Sequence, residues 1–306
     1  MHIEFGKGGT GGAHARRRTW PLGSAGMTVA VVLAMVAGVA CIAYPFVSDW
    51  LSRVERDKVQ QSYEQAVEES PEEDLSGELL AAQQYNEDLL RGTNIAADPF
   101  DPNKLNSYAD QRYWSLLNIG DDGVMGTLTI PKLSVSLPVY HGTDDDVLQK
   151  GVGHMATTSL PIGGPSTHSV IAGHTGLPSM VVFDRLDTLS EGDYFVLHIL
   201  GEDHAYRVYD TEIVLPDQTD SLAIELDRDL VTLVTCTPYG VNDHRLLVHA
   251  ERCDVPAEYY QDDHGVGPVE RAANAVADPV TLFSLVGGAV ALAGSILLLA
   301  RLARSR

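Results

Sequence analysis

A mostly β fold is expected from this sequence: a small closed barrel preceded by a helical subdomain and held between two transmembrane helices. Three observations carry that expectation. From Gly126 onward the chain breaks into short runs rich in β-branched and aromatic residues, bounded by Gly, Pro, Asn and Asp. Before them, apolar residues recur at near-helical spacing. Two charge-free apolar runs of 21 residues, Met27 to Val47 and Val280 to Ala300, are each long enough to cross a bilayer as a helix.

In chain order, residues 1–26 are rich in Gly and Arg and read as a disordered cytoplasmic tail. Residues 27–47 form the first span. A cleavable signal peptide competes with that reading, but its apolar core would be about 7 to 15 residues and end in a small-residue site. Tyr44, Pro45, Phe46 and Val47 make no such site, so the span is expected to be retained. Within an extracellular helical region, 48–119, Ser48 to Glu69 continues the membrane helix until Pro71 breaks it. Leu75 to Arg91 is an amphipathic helix stopped by Gly92, and Ser107 to Leu117 a shorter third candidate. Candidate strands in the barrel domain, 120–254, are Thr127 to Ile130, Leu137 to Tyr140, Ser169 to Ala172, Tyr194 to Leu200, Ala205 to Val214, Val231 to Cys236 and His244 to Arg252. An acidic linker, 255–279, partly helical around Val269 to Ala277, leads to the second span, 280–300, and a tail, 301–306.

Charge sets the orientation. Arg16, Arg17 and Arg18 precede the first span and Arg301, Arg304 and Arg306 follow the second, placing both termini in the cytoplasm and the barrel outside. Between the spans lie 14 of the 21 basic and 41 of the 42 acidic residues, a net charge of −27. A body this acidic repels phosphates and argues against nucleic-acid binding. The triplet Asp144, Asp145 and Asp146 lacks the spaced ligands and glycine of a calcium loop and reads as a solvated turn, so no metal site is expected.

The densest chemistry lies in Val231 to His249, V-T-L-V-T-C-T-P-Y-G-V-N-D-H-R-L-L-V-H. Two apolar runs flanking Pro238, Gly240, Asn242 and Asp243 predict a hairpin. Its strands, about 4.8 Å apart, would set Cys236 beside Arg245. A guanidinium next to a thiol favours the thiolate and can stabilise the oxyanion formed when that thiolate attacks a carbonyl. A bridge from Cys236 to Cys253 is the bland alternative; the third cysteine, Cys41, sits in the first span, so no disulfide framework is expected. His174, between Gly173 and Gly176 at the end of an apolar strand, is the candidate acid. Spacing alone does not separate it from His141, His154, His168 and His244, of which His244, next to Arg245, is second choice. Asp98, Pro99 and Phe100, in A-D-P-F-D-P-N, read plainly as a turn. His249 and Arg252 read as ordinary surface or strand residues.

This stretch resembles the signature of the sortases, membrane-bound cysteine transpeptidases of Gram-positive cell surfaces, in which T-L-x-T-C-T-P-Y-G is soon followed by an arginine. The similarity continues through Gly126 to Pro131 (G-T-L-T-I-P), Leu137 to Thr143 (L-P-V-Y-H-G-T), Gly151 to His154 (G-V-G-H), Ser159 to Gly164 (S-L-P-I-G-G) and Ala172 to Pro178 (A-G-H-T-G-L-P), covering roughly Gly120 to Cys253. The resemblance implies an eight-stranded barrel, with Cys236 as nucleophile, His174 as acid and Arg245 as oxyanion donor. It implies no cofactor. Asp98, Pro99 and Phe100 then resemble the lid of class C, pilin-polymerising sortases, within about residues 96–103. Thr175 stands where many pilus-building members carry Arg. Substrates so implied are pilin subunits and surface proteins with LPXTG-like sorting signals, cleaved between Thr and Gly and joined to a pilin lysine. Two alternatives are a sortase that anchors single proteins to peptidoglycan and an inactive, membrane-tethered peptide-binding module.

Overall fold

A computed structural model describes residues 24–92, 98, 100–101, 111–176 and 182–260. The chain divides into two compact units, Met1–Ala43 with Asp278–Arg306, and Tyr44–Ala277. Helix α1 runs Ser24–Glu69 and includes the first apolar run, as expected. Among the described residues, no helix is long and apolar enough to cross a membrane. Residues 1–23 of the N-terminal tail, the helix around Val269 to Ala277, the second expected span and the C-terminal tail, 301–306, lie outside the described residues.

In the larger unit, helix α2 (Glu72–Arg91) begins after Pro71 with Glu72, Glu73 and Asp74 in its first turn, where carboxylates suit the positive end of the helix dipole. Both helices are fastened to the barrel through polar groups. Tyr63 of α1 donates its hydroxyl to the Met125 carbonyl and accepts from the Leu200 amide. Asn86 of α2 pairs with both backbone groups of Leu160, at 2.7 and 3.1 Å, as a strand edge would. The third expected helix is instead a short 3₁₀ segment, Gln111–Ser115, and Ser107 to Asp110 lie outside the described residues. Leu117, at φ 58°, ends its path, and fully buried Tyr113 anchors it by accepting from the Gly142 amide and donating to the His154 carbonyl.

The barrel is closed and has eight strands: β1 (Val124–Ile130), β2 (Val135–His141), β3 (Val152–His154), β4 (Thr167–Ala172), β5 (Tyr194–Ile199), β6 (Glu202–Val214), β7 (Asp229–Thr237) and β8 (His244–Cys253). Their order around the barrel is β1-β2-β3-β4-β7-β8-β6-β5. Seven were foreseen from runs of residues. The eighth, β3, is three residues in the motif G-V-G-H, too short to show a period. Gly153 within it lies so close to the Gly142 carbonyl that any Cβ would collide. Between β2 and β3, Asp145–Leu148 forms a single helical turn, α3, with Asp145 and Asp146 exposed, the solvated turn expected of the triplet.

Alternation along the strands sends one set of side chains inward and the other out. Ile171, Val231, Leu233, Leu246, Val248 and Ala250 join the main core inside the barrel. Their neighbours Val170, Val234 and Leu247 face outward and form a second apolar cluster with Met155 and Leu222. Leu222 belongs to the β6–β7 connection, which folds over this outer face. Parallel pairing of β4 with β7 and antiparallel pairing of β7 with β8 bring three strand ends to one rim.

Candidate active site

At that rim Cys236 and Arg245 are directly opposed across the β7–β8 hairpin, as the sequence pattern predicts. The parallel register of β4 on β7 pairs Ala172 with Val234, and the Gly173 amide donates to the Val234 carbonyl. His174 is therefore delivered to the edge that Cys236 occupies on the next strand. Thr235, buried, ties the two strand ends together by donating its hydroxyl to the Gly173 carbonyl at 2.7 Å. Nothing in the residue pattern announced that strut, because its partner lies 62 positions away. Gly176, at φ 79°, lets the loop after His174 pass beneath the Tyr239 ring, where a Cβ would come within 2.8 Å.

Asp98 and Phe100 reach this rim from outside the barrel; Pro99 lies outside the described residues. The Asp98 carboxylate takes a fork of two hydrogen bonds from Arg245, Nε to Oδ1 at 2.9 Å and Nη2 to Oδ2 at 2.7 Å. Arg245 Nη1 donates to the carbonyls of Asn242 and His244, so four of its five donors are engaged. The Phe100 ring has the Arg245 guanidinium 4.9 Å from its centroid and the His174 ring stacked at 5.8 Å. It also packs on the outer apolar cluster of Met155, Val170, Leu222, Val234 and Leu247. The plain reading of this segment as a turn holds as well, since the Asp101 amide donates to the Asp98 carbonyl and the Phe100 amide to the Asp98 side chain. The turn is the device that presents both side chains to the site.

A family profile described as Sortase domain matches residues 128–253. Among solved structures, sortase C-1 from Actinomyces oris is 46% identical, over 59% of this chain and 99% of that one, at a TM-score of 0.54. The chain belongs to the sortase family. Sortase C-1 from Streptococcus pneumoniae is 36% identical over 65% of this chain and 100% of that one, at a TM-score of 0.58. Sortase D of Bacillus subtilis is 32% identical over 130 residues, 42% of this chain and 63% of the relative. Sortase A of Streptococcus agalactiae is 27% identical over 131 residues, 42% of this chain and 52% of the relative. The chain thus matches between about half and two thirds of the length of these curated sortases.

Electrostatics in the sortase site follow from its half-buried state. Burial pushes the Cys236 thiol above its ordinary pKa; Arg245 opposes the shift and Asp98 adds to it. Burial likewise pulls His174 below the usual imidazole value, with Asp145 of α3 acting the other way. Cys236, Cys253 and Cys41 are all free. Cys253 sits at the far end of β8, eight residues from Arg245 and hence about 27 Å along the strand from the rim, too far for the bridge considered above.

The competing histidines are accounted for. His244 turns to Asp243 at 2.8 Å. His141 lies against the Gly123 and Leu116 carbonyls, and His154 contacts Tyr113 Oη and the Ser159 carbonyl, with burial lowering His154 to about 3. His168 and His249 are buried on the outer barrel face; of the two readings of His249, strand residue and surface residue, the first holds, and its side chain sits inside a polar chain. Arg252 lies on β8 near Asp229, at 3.7 Å, and over the Tyr206 ring. Among the described residues no three His, Cys, Asp or Glu side chains are grouped to hold a metal.

Proposed function

We propose that this chain is a membrane-held cysteine transpeptidase of the pilin-polymerising kind. The observation that carries it is Cys236 directly across the hairpin from Arg245, with Asp98 and Phe100 occupying the place where a peptide would meet both. In the working enzyme the Cys236 thiolate attacks the Thr carbonyl of an LPXTG-like sorting signal. Arg245, freed from Asp98, donates to the tetrahedral oxyanion, and His174 as imidazolium protonates the departing Gly amine. A pilin lysine amine then displaces sulfur from the thioacyl enzyme, giving an isopeptide bond and restoring the thiol. No cofactor enters these steps.

The two pKa shifts decide the resting state. Cys236 is raised and His174 lowered, so at neutral pH the lidded site holds a neutral thiol and a neutral imidazole. The reactive thiolate–imidazolium pair is a minor form, and it gains population when Asp98 withdraws its charge. Asp98 and Phe100 therefore act as a lid that blocks both the space and the ionisation.

Support for membrane anchoring comes from the helical conformation of the first apolar run and the exposure of Val29, Val31, Leu33, Met35, Val36 and Ile42 along it. Both termini would be cytoplasmic and the catalytic unit extracellular. Likeness to curated sortases A and D favours a second reading, in which the acceptor amine belongs to peptidoglycan. One experiment separates them. The full chain in detergent is incubated with a sorting peptide and either a candidate pilin or a cell-wall peptide, and products are located by mass spectrometry. A Cys236 acyl adduct and a Lys isopeptide on the pilin are expected. Product formation by Cys236→Ala would falsify the nucleophile, and product on the cell-wall peptide alone would replace the pilin reading.

A further inference from the structure

On the outer face of the barrel, one rung below the apolar floor that seats Phe100, four side chains join into a chain. His168 Nδ1 lies 2.9 Å from the Ala223 carbonyl and its Nε2 2.7 Å from Thr232 Oγ1. Thr232 Oγ1 lies 2.8 Å from His249 Nδ1, and His249 Nε2 lies 3.2 Å from Glu212 Oε1. The path crosses β4, β7, β8 and β6, neighbours in the barrel. His168, Thr232 and His249 are at most 4% exposed, and the Glu212 side chain at the end of the chain is 36% exposed.

Counting protons settles what this chain holds. Four hydrogen bonds need four hydrogens. Two neutral imidazoles supply one each and the threonine hydroxyl a third, while the terminal carbonyl and carboxylate supply none. The chain closes only with one proton beyond the neutral set. Glu212 provides the compensating negative charge at the His249 end. Burial and the nearby Arg228 hold His168 down, to about 4, so the extra proton sits between His249 and Glu212. Other groups around His249 do not supply a rival. Tyr209 of β6 stacks on it at 6.1 Å, and Asp210, its register partner, accepts from the Thr211 amide. Arg228, over the Tyr209 ring, is paired with Glu225 and Glu251.

Ala223 follows Leu222 in the β6–β7 connection. The chain thus pins, by one carbonyl, the segment whose Leu222 side chain completes the apolar floor beneath Phe100. We propose that His168, Thr232, His249 and Glu212 are positioning residues for the β6–β7 wall of the peptide site, and that the proton shared by His249 and Glu212 keeps the wall seated. This rests on the transpeptidase reading, in which a peptide replaces Phe100 on that floor. Where any one of the four bonds is removed, the wall loosens and peptide binding weakens.

Two measurements on the full chain in detergent test it. In the first, ¹⁵N-labelled imidazole resonances, assigned with His249→Gln, report which ring nitrogens carry hydrogen. Both His168 and His249 are expected with hydrogen on Nδ1, donated to the Ala223 carbonyl and to Thr232 Oγ1. A His249 whose Nδ1 carries no hydrogen overturns the count. In the second, KM and kcat for a sorting peptide are measured separately. Thr232→Val is expected to raise KM about three- to tenfold, the effect of one buried hydrogen bond, with kcat at the wild-type level. A Thr232→Val KM equal to that of the wild type overturns the positioning role. The imidazole arm requires no turnover, so it decides the proton count even where the transpeptidase reading fails.

Discussion

Two arginines at opposite ends of β8's neighbourhood are built alike and placed differently. Arg245 forks onto Asp98 and lies 4.9 Å above the Phe100 ring. Arg228 forks onto Glu251, at 3.3 and 2.8 Å, and lies 4.7 Å above the Tyr209 ring. The second set comes wholly from the barrel, 23 positions apart in the chain, with side chains 29% and 45% exposed. The first spans 147 positions, joins the barrel to a segment outside it, and is 11% and 17% exposed. An exposed pair is weakened by solvent and contributes little. A shielded pair binds more strongly, and losing one partner leaves a charge uncompensated. The fork at Arg228 trims a surface, whereas the fork at Arg245 ties a half-buried barrel arginine to a segment outside the barrel.

That contrast is broken most sharply by Arg245→Lys. A lysine lacks the planar fork and the donor geometry of an oxyanion site, so transpeptidation is expected to fall by about 10²-fold or more, read as kcat/KM. Arg228→Lys should leave turnover at the wild-type level; equal losses in the two variants would erase the distinction.

Next in size is Asp98→Ala. Removing that carboxylate lowers the Cys236 pKa, since Asp98 is one of the groups raising it, and opens access to the sulfur. Alkylation of Cys236 at neutral pH should quicken, about tenfold for each pKa unit, and its pH profile should move toward acid. Phe100→Ala should speed alkylation through access alone, with the profile unmoved. If Asp98→Ala changes only the rate and not the profile, the charge argument fails.

The smallest effect belongs to the exposed fork. Glu251→Gln is expected to cost at most about 1 kcal/mol in chemical denaturation. Arg228 holds the Glu251 carboxyl below its usual range, so what stability the pair gives is present above the unfolded-state pKa and fades as pH falls through the lowered value. A loss that instead grew with rising pH would contradict that assignment.

Much of the site was legible because its parts lie near one another in the chain. Cys236 and Arg245 are nine positions apart on one hairpin, and the turn residues between them set their register. His174 was singled out by its family context rather than by spacing. The structure supplies the missing reason, a parallel register that carries Ala172 to Val234. β3 escaped notice because three residues between glycines have no period, and the described part of the expected Ser107 to Leu117 helix, from residue 111, is a 3₁₀ segment because buried Tyr113 anchors it to the barrel.

By itself, then, the sequence determined the β-rich body, its helical approach, its acidity and the identity of the sulfur and its guanidinium neighbour. These follow from local propensity, periodicity and hairpin geometry, all of which act over a few residues. Only the tertiary structure decided that Asp98 takes the fork of Arg245, that Phe100 lies between guanidinium and imidazole, and that His168, Thr232, His249 and Glu212 join into one hydrogen-bonded chain. Those contacts join residues from separate strands and segments, and closure of the barrel brings them within hydrogen-bonding distance.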